Sequence, residues 1–306
     1  MSTLRFVLYC ETSERVFMIP VNCRHYSSYS EILGDLDAIL EVFFRESVVV
    51  LRGANLTTDE QLELTRALGD ISGWTPNSSS DFEQAYQESH SRLPNKETVS
   101  SDEVALGWHL EHIEYDDHSP IIAGVWNMLK FKVEPDVGKT WFVDMSKIYN
   151  LLPSNDQEFL ENSVQTWVEP HDGKEFTTDV VKAHWYTGER TIRMHMTRFN
   201  SDSHWLSTFD GRLPTPAEAF RYEELKNVIH NYVWGDISVR AEHRWNQGDL
   251  ILADLFKNAH AVTGGFSSED REFVGLWVYP SNPEDAPKYV KLIETRENGV
   301  NSVYGI

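Results

Sequence analysis

The sequence predicts a mixed α/β chain that is mainly β. Its apolar runs are short and scattered, aromatic residues make up 12% of it, and only one segment carries a long, well-capped helical pattern. At 306 residues the chain is long enough to bury a large core. No internal repeat or linker divides it, so residues 1–306 read as one elaborated domain.

In chain order, residues 4–10 and 16–20 read as strands of a terminal ribbon. Residues 30–46 place Ile32, Leu33, Leu36, Ile39, Leu40 and Phe43 at helical spacing, which predicts one helix. The run 48–51 is a buried type of strand, and 58–68 a helix with Asp59 and Glu60 in its first turn. The stretch 77–102 is polar and Ser-rich, and it is read as a lid beside the site; an inserted disordered loop is the alternative. Residues 121–131 and 140–143 are strands joined by a turn around Pro135 and Gly138, and 146–152 and 154–162 are short helices split by Pro153. A hairpin turn is expected at 185–190 and a strand at 193–198. The clear helix is 216–233, with Thr215 as N-cap, Pro216 in the first position and Glu218 completing a capping box. Strands at 239–245, 250–253 and 273–279 follow, then a polar tail beyond Pro280.

The chain carries 48 acidic against 27 basic residues, a net charge of −21. Such a surface repels phosphate backbones, so nucleic acid is not expected as a partner, whereas a cationic small molecule would be attracted. No stretch approaches the roughly 20 apolar residues that a membrane span requires. The first residues lack a long apolar core and a small-residue cleavage site, so a cytoplasmic protein is expected. Cys10 and Cys23 are read as reduced thiols outside any metal set.

The chemistry concentrates in Gly107-Trp108-His109-Leu110-Glu111, answered downstream by His260 and Arg271. Two imidazoles and a carboxylate can occupy one face of a divalent iron and leave the other face open. In a strand or its extended end, residues i and i+2 point the same way, so His109 and Glu111 can aim at one point. Arg271 follows His260 within the reach of a hairpin and offers a fork for a carboxylate. His-x-Glu is a weak signal alone, and it recurs at His112/Glu114, with Asp116 and His118 close behind, so that second pair stands as an alternative. The run from Gly248-Asp249 to Asp254 reads as a tight turn feeding an apolar strand that leads to His260.

These residues resemble the TauD/TfdA (taurine dioxygenase) family of Fe(II)- and 2-oxoglutarate-dependent oxygenases. The family pattern of Trp-His-x-Asp, a Gly-Gly-x-Thr turn, Gly-Asp, Asp, His and a later Arg is matched here in order. The matching residues are Trp108, His109 and Glu111, then Val137-Gly138-Lys139-Thr140, Gly248-Asp249, Asp254, His260 and Arg271. The segment from His184 to Arg190 is similar to a further family hairpin. Glu111 stands where most members carry Asp, as in clavaminate synthase-like members, and Gly275 stands where sulfonate-binding members carry a second Arg, which argues against taurine as substrate.

The resemblance implies a double-stranded β-helix (jelly-roll, cupin-like) core with flanking helices. It implies Fe(II) held by His109, Glu111 and His260, with 2-oxoglutarate paired to Arg271 and helped by Thr140, and O2 as oxidant. A carboxylate ligand favours oxygen transfer over halogenation. Hydroxylation of a small polar substrate, a free amino acid first among them, is expected; a homo-oligomer is open. Asp254 and Trp141 are read as packing residues, and His184, His204 and His243 as ordinary surface or strand histidines. Two rival readings are a zinc hydrolase-like site on the same three ligands and a catalytically silent binding module.

Overall fold

The computed structural model describes residues 19–280 other than 21, 73, 77–89, 92–98, 112, 114–120, 135, 169–174, 186, 195, 197–203, 209–211 and 236–238. The expected terminal ribbon except for Ile19–Pro20, most of the expected lid and the polar tail lie outside the described residues. After β1 (Ile19–Pro20) and β2 (Asn22–His25), the predicted helix 30–46 forms as two, α1 (Tyr29–Leu33) and α2 (Leu36–Glu46). Gly34 closes α1 by donating to the Ser30 and Ile32 carbonyls, and Asp35 turns its carboxylate to Arg24 and the Tyr26 hydroxyl. The apolar spacing continues across this break because both helices bury the same face, which hid the Gly-Asp interruption. Ser47 ends α2 with a left-handed φ of 67° and donates its N–H to Phe43 O.

β3 (Val48–Arg52) leads to α3 (Thr58–Ser72), which runs past its predicted stop at 68. Thr57 and Glu60 form a reciprocal capping box at its start, at 2.8 and 3.2 Å. Gln61 fastens the helix to the sheet, donating to the Val125 and Val274 carbonyls. There follow β4 (Trp74–Pro76), β5 (His90–Ser91), β6 (Val104–His109), β7 (Ala123–Phe131) and β8 (Thr140–Asp144). α4 (Met145–Leu151) and α5 (Ser154–Glu161) are split at Pro153 as predicted. β9 (Ser163–Val168), β10 (Glu175–Asp179), β11 (Val181–Ala183), β12 (Arg190–Ile192) and β13 (His204–Thr208) precede α6 (Pro216–Gly235). Thr215 and Glu218 cap α6 as expected, with Arg212 gripping the same carboxylate. β14 (Arg240–His243), β15 (Leu250–Asp254), β16 (Asn258–Thr263) and β17 (Arg271–Pro280) close the described chain.

The fold is mixed α/β and mainly sheet, with six helices among the described residues. One sheet has the order β2-β3-β15-β7-β17-β4, with β5 also on β17, and the other β1-β14-β8-β16-β6. Alternate residues of β3 and β15 face opposite ways into separate cores. Val48, Val50, Ile251 and Ala253 join the core shared with Phe142 and Trp245 of the other sheet side, while Val49, Leu51, Leu250 and Leu252 pack beneath α1, α2 and α3. Burial on both faces is why these strands read as continuous apolar runs. A third core lies between the five-stranded sheet and α4, α5 and α6.

β9, β10 and β13 form a three-stranded sheet that was not predicted. β9 buries Ser163, Gln165 and Thr166, so polar residues occupy inward positions and the alternation signal fails. β12 ends at Ile192, just before the strand expected at 193–198, of which residues 195, 197 and 198 lie outside the described residues. There the Arg193 N–H still donates to the Val180 carbonyl at 2.7 Å, one step beyond the β11–β12 ladder, while its fully buried side chain bonds main-chain carbonyls of other segments. Among the described residues no helix is long and apolar enough to cross a membrane.

Candidate metal centre

β6 and β16 are antiparallel neighbours, and their register sets His109 directly opposite His260. Directly opposed residues on one face bring their side chains together, and the two imidazole centroids lie 4.1 Å apart. β6 ends at His109, and Glu111 in the following turn swings back to the same point. His109 Nε2 is 3.7 Å and His260 Nε2 3.4 Å from Glu111 Oε1. One ligand atom from each residue fits within 4.8 Å of the others, and among the described residues this is the one such group able to hold a metal ion.

The ring orientations suit that use. His109 Nδ1 is 2.8 Å from the Gly107 carbonyl, which can only accept, so Nδ1 carries a proton and Nε2 is the ring atom that faces Glu111 and His260. Burial, and then the neighbouring His109, push the His260 imidazole down, which keeps it neutral. Burial alone would raise the Glu111 carboxyl, but the facing His109 and His260 rings outweigh it and hold Glu111 well below the usual carboxylate range. Trp126, 5.0 Å from the His260 ring and stacked on Phe142, walls the centre with apolar surface.

His260 reaches this place because the chain crosses from one sheet to the other between β15 and β16. Asp254 organises the crossover: its Oδ1 accepts from the Phe256 and Lys257 N–H groups, both at 3.0 Å. Its Oδ2 pairs with His184 Nε2 at 2.7 Å, with both side chains buried. Burial would raise the Asp254 carboxyl, yet His184 and Lys257 hold it below its ordinary value. His184 is therefore no surface histidine, and Asp254 does more than pack. His243 is also buried, beside Asp249, which in turn binds Arg52. Gly248 supplies the turn before β15 at φ 80°, where an added Cβ would lie 2.0 Å from Asn55 Oδ1.

Arg271 begins β17 on the opposite sheet and is 2% exposed. Its Nε and Nη1 are buried without a hydrogen-bond partner. Around the guanidinium stand Phe273, Phe266 and Trp245, with ring centroids 5.3, 5.4 and 5.8 Å away. Burial without compensation pushes this guanidinium down to about 9. A cation in such a place is costly until an anion joins it. Thr140 Oγ1 accepts from Trp245 Nε1 at 2.9 Å, which leaves the hydroxyl hydrogen for another acceptor. Gly138 lies against this pocket at φ 63°, and a Cβ there would stand 3.1 Å from Phe266 and 3.5 Å from Arg271. Donors, charge and aromatic walls thus fit the carboxylate end of an acid co-substrate.

All five residues expected to carry the chemistry fall into these two adjoining places: His109, Glu111 and His260 in one, Thr140 and Arg271 in the other. Trp141 is held by Glu242 at 2.9 Å and stacks on Trp108. The alternative ligands His112 and Glu114, with Asp116, His118, His195 and Arg198, lie outside the described residues. Sequence reasoning missed Trp245, Trp126 and the role of His184. The only signal for His184 was its place at the head of the 184–190 hairpin, while the two tryptophans acquire their roles through cross-sheet packing that no local pattern encodes.

The model of the taurine catabolism dioxygenase TauD, TfdA family matches residues 24–277. A crystal structure of AAD-2 in complex with Mn(II) and N-oxalylglycine is similar to the chain with a TM-score of 0.60 at 15% identity, covering 88% of this chain and 97% of that one. A taurine dioxygenase from Burkholderia xenovorans is similar with a TM-score of 0.56 at 15% identity, covering 81% and 82%. At such identities the likeness concerns the fold. A search of curated proteins finds no match. The chain belongs to the TauD/TfdA family. It is an Fe(II)/2-oxoglutarate-dependent dioxygenase, an oxidoreductase whose chemistry uses Fe(II), 2-oxoglutarate and O2.

Proposed function

We propose that His109, Glu111 and His260 hold the Fe(II), that Arg271 and Thr140 receive the distal carboxylate of 2-oxoglutarate, and that the enzyme hydroxylates a small polar substrate, a free amino acid first among them. The observation that carries this reading is the pairing of a compact two-imidazole, one-carboxylate cluster with a buried guanidinium whose Nε and Nη1 lack partners. The two facing sheets with helices packed outside are read as a double-stranded β-helix, with the site held between its sheets.

When bound, iron with 2-oxoglutarate and O2 supplies the oxidising power, and succinate and CO2 leave as co-products. The chain's own contribution is binding and exclusion. His109 Nε2, His260 Nε2 and the Glu111 carboxylate would hold the iron, two imidazole nitrogens and one negative charge being a donor set suited to a divalent iron. With Glu111 as a ligand, the donor set would already include a carboxylate in place of a halide, which favours oxygen transfer. Arg271 would receive the co-substrate carboxylate through charge-assisted hydrogen bonds, and the Thr140 hydroxyl, already accepting from Trp245, would donate beside it. Trp126, Phe142, Trp245, Phe266 and Phe273 make the walls apolar and keep water from competing. The buried Arg271 has no task in a zinc hydrolase, which disfavours that reading. With Gly275 in place of a second Arg, that part of the wall offers no cation for a sulfonate; Gly275 packs instead against Trp126, with room for a Cβ only 3.2 Å from its ring.

The test is succinate release from 2-oxoglutarate by the Fe(II)-loaded protein under air, across a panel of free amino acids and other small acids, beside His260→Ala. We expect one compound class to raise turnover and the variant to abolish it. Succinate release undiminished in His260→Ala would refute the ligand assignment, and stimulation only by compounds other than amino acids would refute the substrate class.

A further inference from the structure

Arg193 is fully buried at the end of β12, although it contributes no atom to the ligand cluster. Its guanidinium is spent on main-chain carbonyls of two separate segments. Nη2 donates to the Glu111 carbonyl at 3.0 Å. Nη1 donates to the Phe256 carbonyl at 2.6 Å and the Leu255 carbonyl at 3.2 Å. The Phe256 ring lies 4.6 Å from the guanidinium carbon and holds it from the side. One of these segments is the turn that carries Glu111, and the other is the sheet-to-sheet crossover that carries His260.

We propose that Arg193 is a positioning residue for the metal centre: it ties the Glu111 turn to the Leu255 and Phe256 crossover, and so fixes the separation of the carboxylate ligand from the second imidazole. The inference rests on the assignment of His109, Glu111 and His260 as the ligand set. Glu111 sits beyond the end of β6, where ladder bonds no longer set its position. His260 follows a crossover between sheets and not a continuous strand. A planar guanidinium spreads its donors over a fixed fork that reaches both segments at once, whereas the donors of an ammonium all radiate from one nitrogen. Glutamine, with two hydrogens on a shorter stem, reaches one segment at most. Supporting groups of this kind commonly set metal affinity by about ten- to hundredfold.

The experiment is Mn(II) binding to the full chain, read by titration calorimetry for wild type, Arg193→Gln and Arg193→Lys, with Tm measured for each with and without Mn(II). The expected result is a Kd raised about ten- to hundredfold in Arg193→Gln, a smaller rise in Arg193→Lys, and a smaller metal-induced increase in Tm for both. A role confined to folding would lower Tm equally with and without metal and leave the Kd unmoved, and that outcome overturns the proposal. Should the Gln variant not fold, the Lys variant decides by the same criterion, since a wild-type Kd in a chain with a single ammonium contradicts the bridging role. Failure of wild type itself to bind Mn(II) overturns the ligand assignment and the inference with it, and is distinct from wild type and variants binding alike.

Discussion

At the scale of single residues, the site is built from groups whose ordinary costs are left unrelieved or are relieved only by one another. Glu111 is held ionised by two imidazoles, His260 is held neutral by burial, and Arg271 keeps buried N–H groups without acceptors. Asp254 shows the same logic one step away. Asp254→Asn keeps an oxygen for the Phe256 and Lys257 N–H groups and loses the charge that faces His184. Removing one partner of a buried pair costs about 3–5 kcal/mol. Because the folded carboxyl lies below its ordinary value, its stabilising contribution is present above about pH 4, the unfolded carboxyl's range, and is lost as pH falls through the folded value. Urea denaturation of wild type and variant should therefore differ by several kcal/mol at pH 7, and the gap should shrink below about pH 4. An equal gap at both pH values would contradict the charge-based role.

At the scale of elements, two strand pairs do most of the placement. β16 lies between β6 and β8, so a single register puts His260 opposite both His109 and Phe142. β17 pairs with β7 and brings Gly275 under Trp126, while Gly124 lies beneath the same indole from its own strand. These two glycines form the seat for the aromatic wall beside His260. A Cβ on Gly124 would stand 2.7 Å from Leu255 Cδ1 and 2.8 Å from Trp126 Nε1. Gly124→Ala should therefore cost about 1–3 kcal/mol through overpacking, measured by denaturant unfolding; a change below about 0.5 kcal/mol, the level of a neutral surface substitution, would show that the seat is slack.

The sequence was most legible where local chemistry decides. The capping box at Thr215 and Glu218, the split at Pro153 and the apolar strands 48–51 and 250–253 are all governed by neighbours a few residues away. It was least legible where tertiary packing overrides local signals. The inward polar residues of β9, the break at Gly34 and Asp35 within a continuous apolar stripe, and the full burial of the Arg193 side chain belong to this class. The five proposed site residues were read from their order and spacing through the resemblance to the family. His184 and Trp245 acquire meaning only from partners distant in the chain, Asp254 and Thr140 respectively.

At the scale of the whole molecule, the proposed site spans both sheets. His109, His260 and Thr140 come from the five-stranded sheet and Arg271 from the seven-stranded one; His260, Thr140 and Arg271 are buried, while His109 keeps a partly exposed side chain. Metal and co-substrate should therefore bind as two separable steps, with the first independent of Arg271. The measurement that tests this most directly is 2-oxoglutarate titration into Mn(II)-loaded wild type, Arg271→Met and His260→Ala under anaerobic conditions, with bound metal quantified in each. The account predicts that Arg271→Met keeps its Mn(II) and binds 2-oxoglutarate about ten- to hundredfold more weakly, the scale of a lost charged hydrogen bond, while His260→Ala loses the metal and co-substrate affinity with it. Wild-type 2-oxoglutarate affinity in Arg271→Met, or undiminished Mn(II) in His260→Ala, would contradict it.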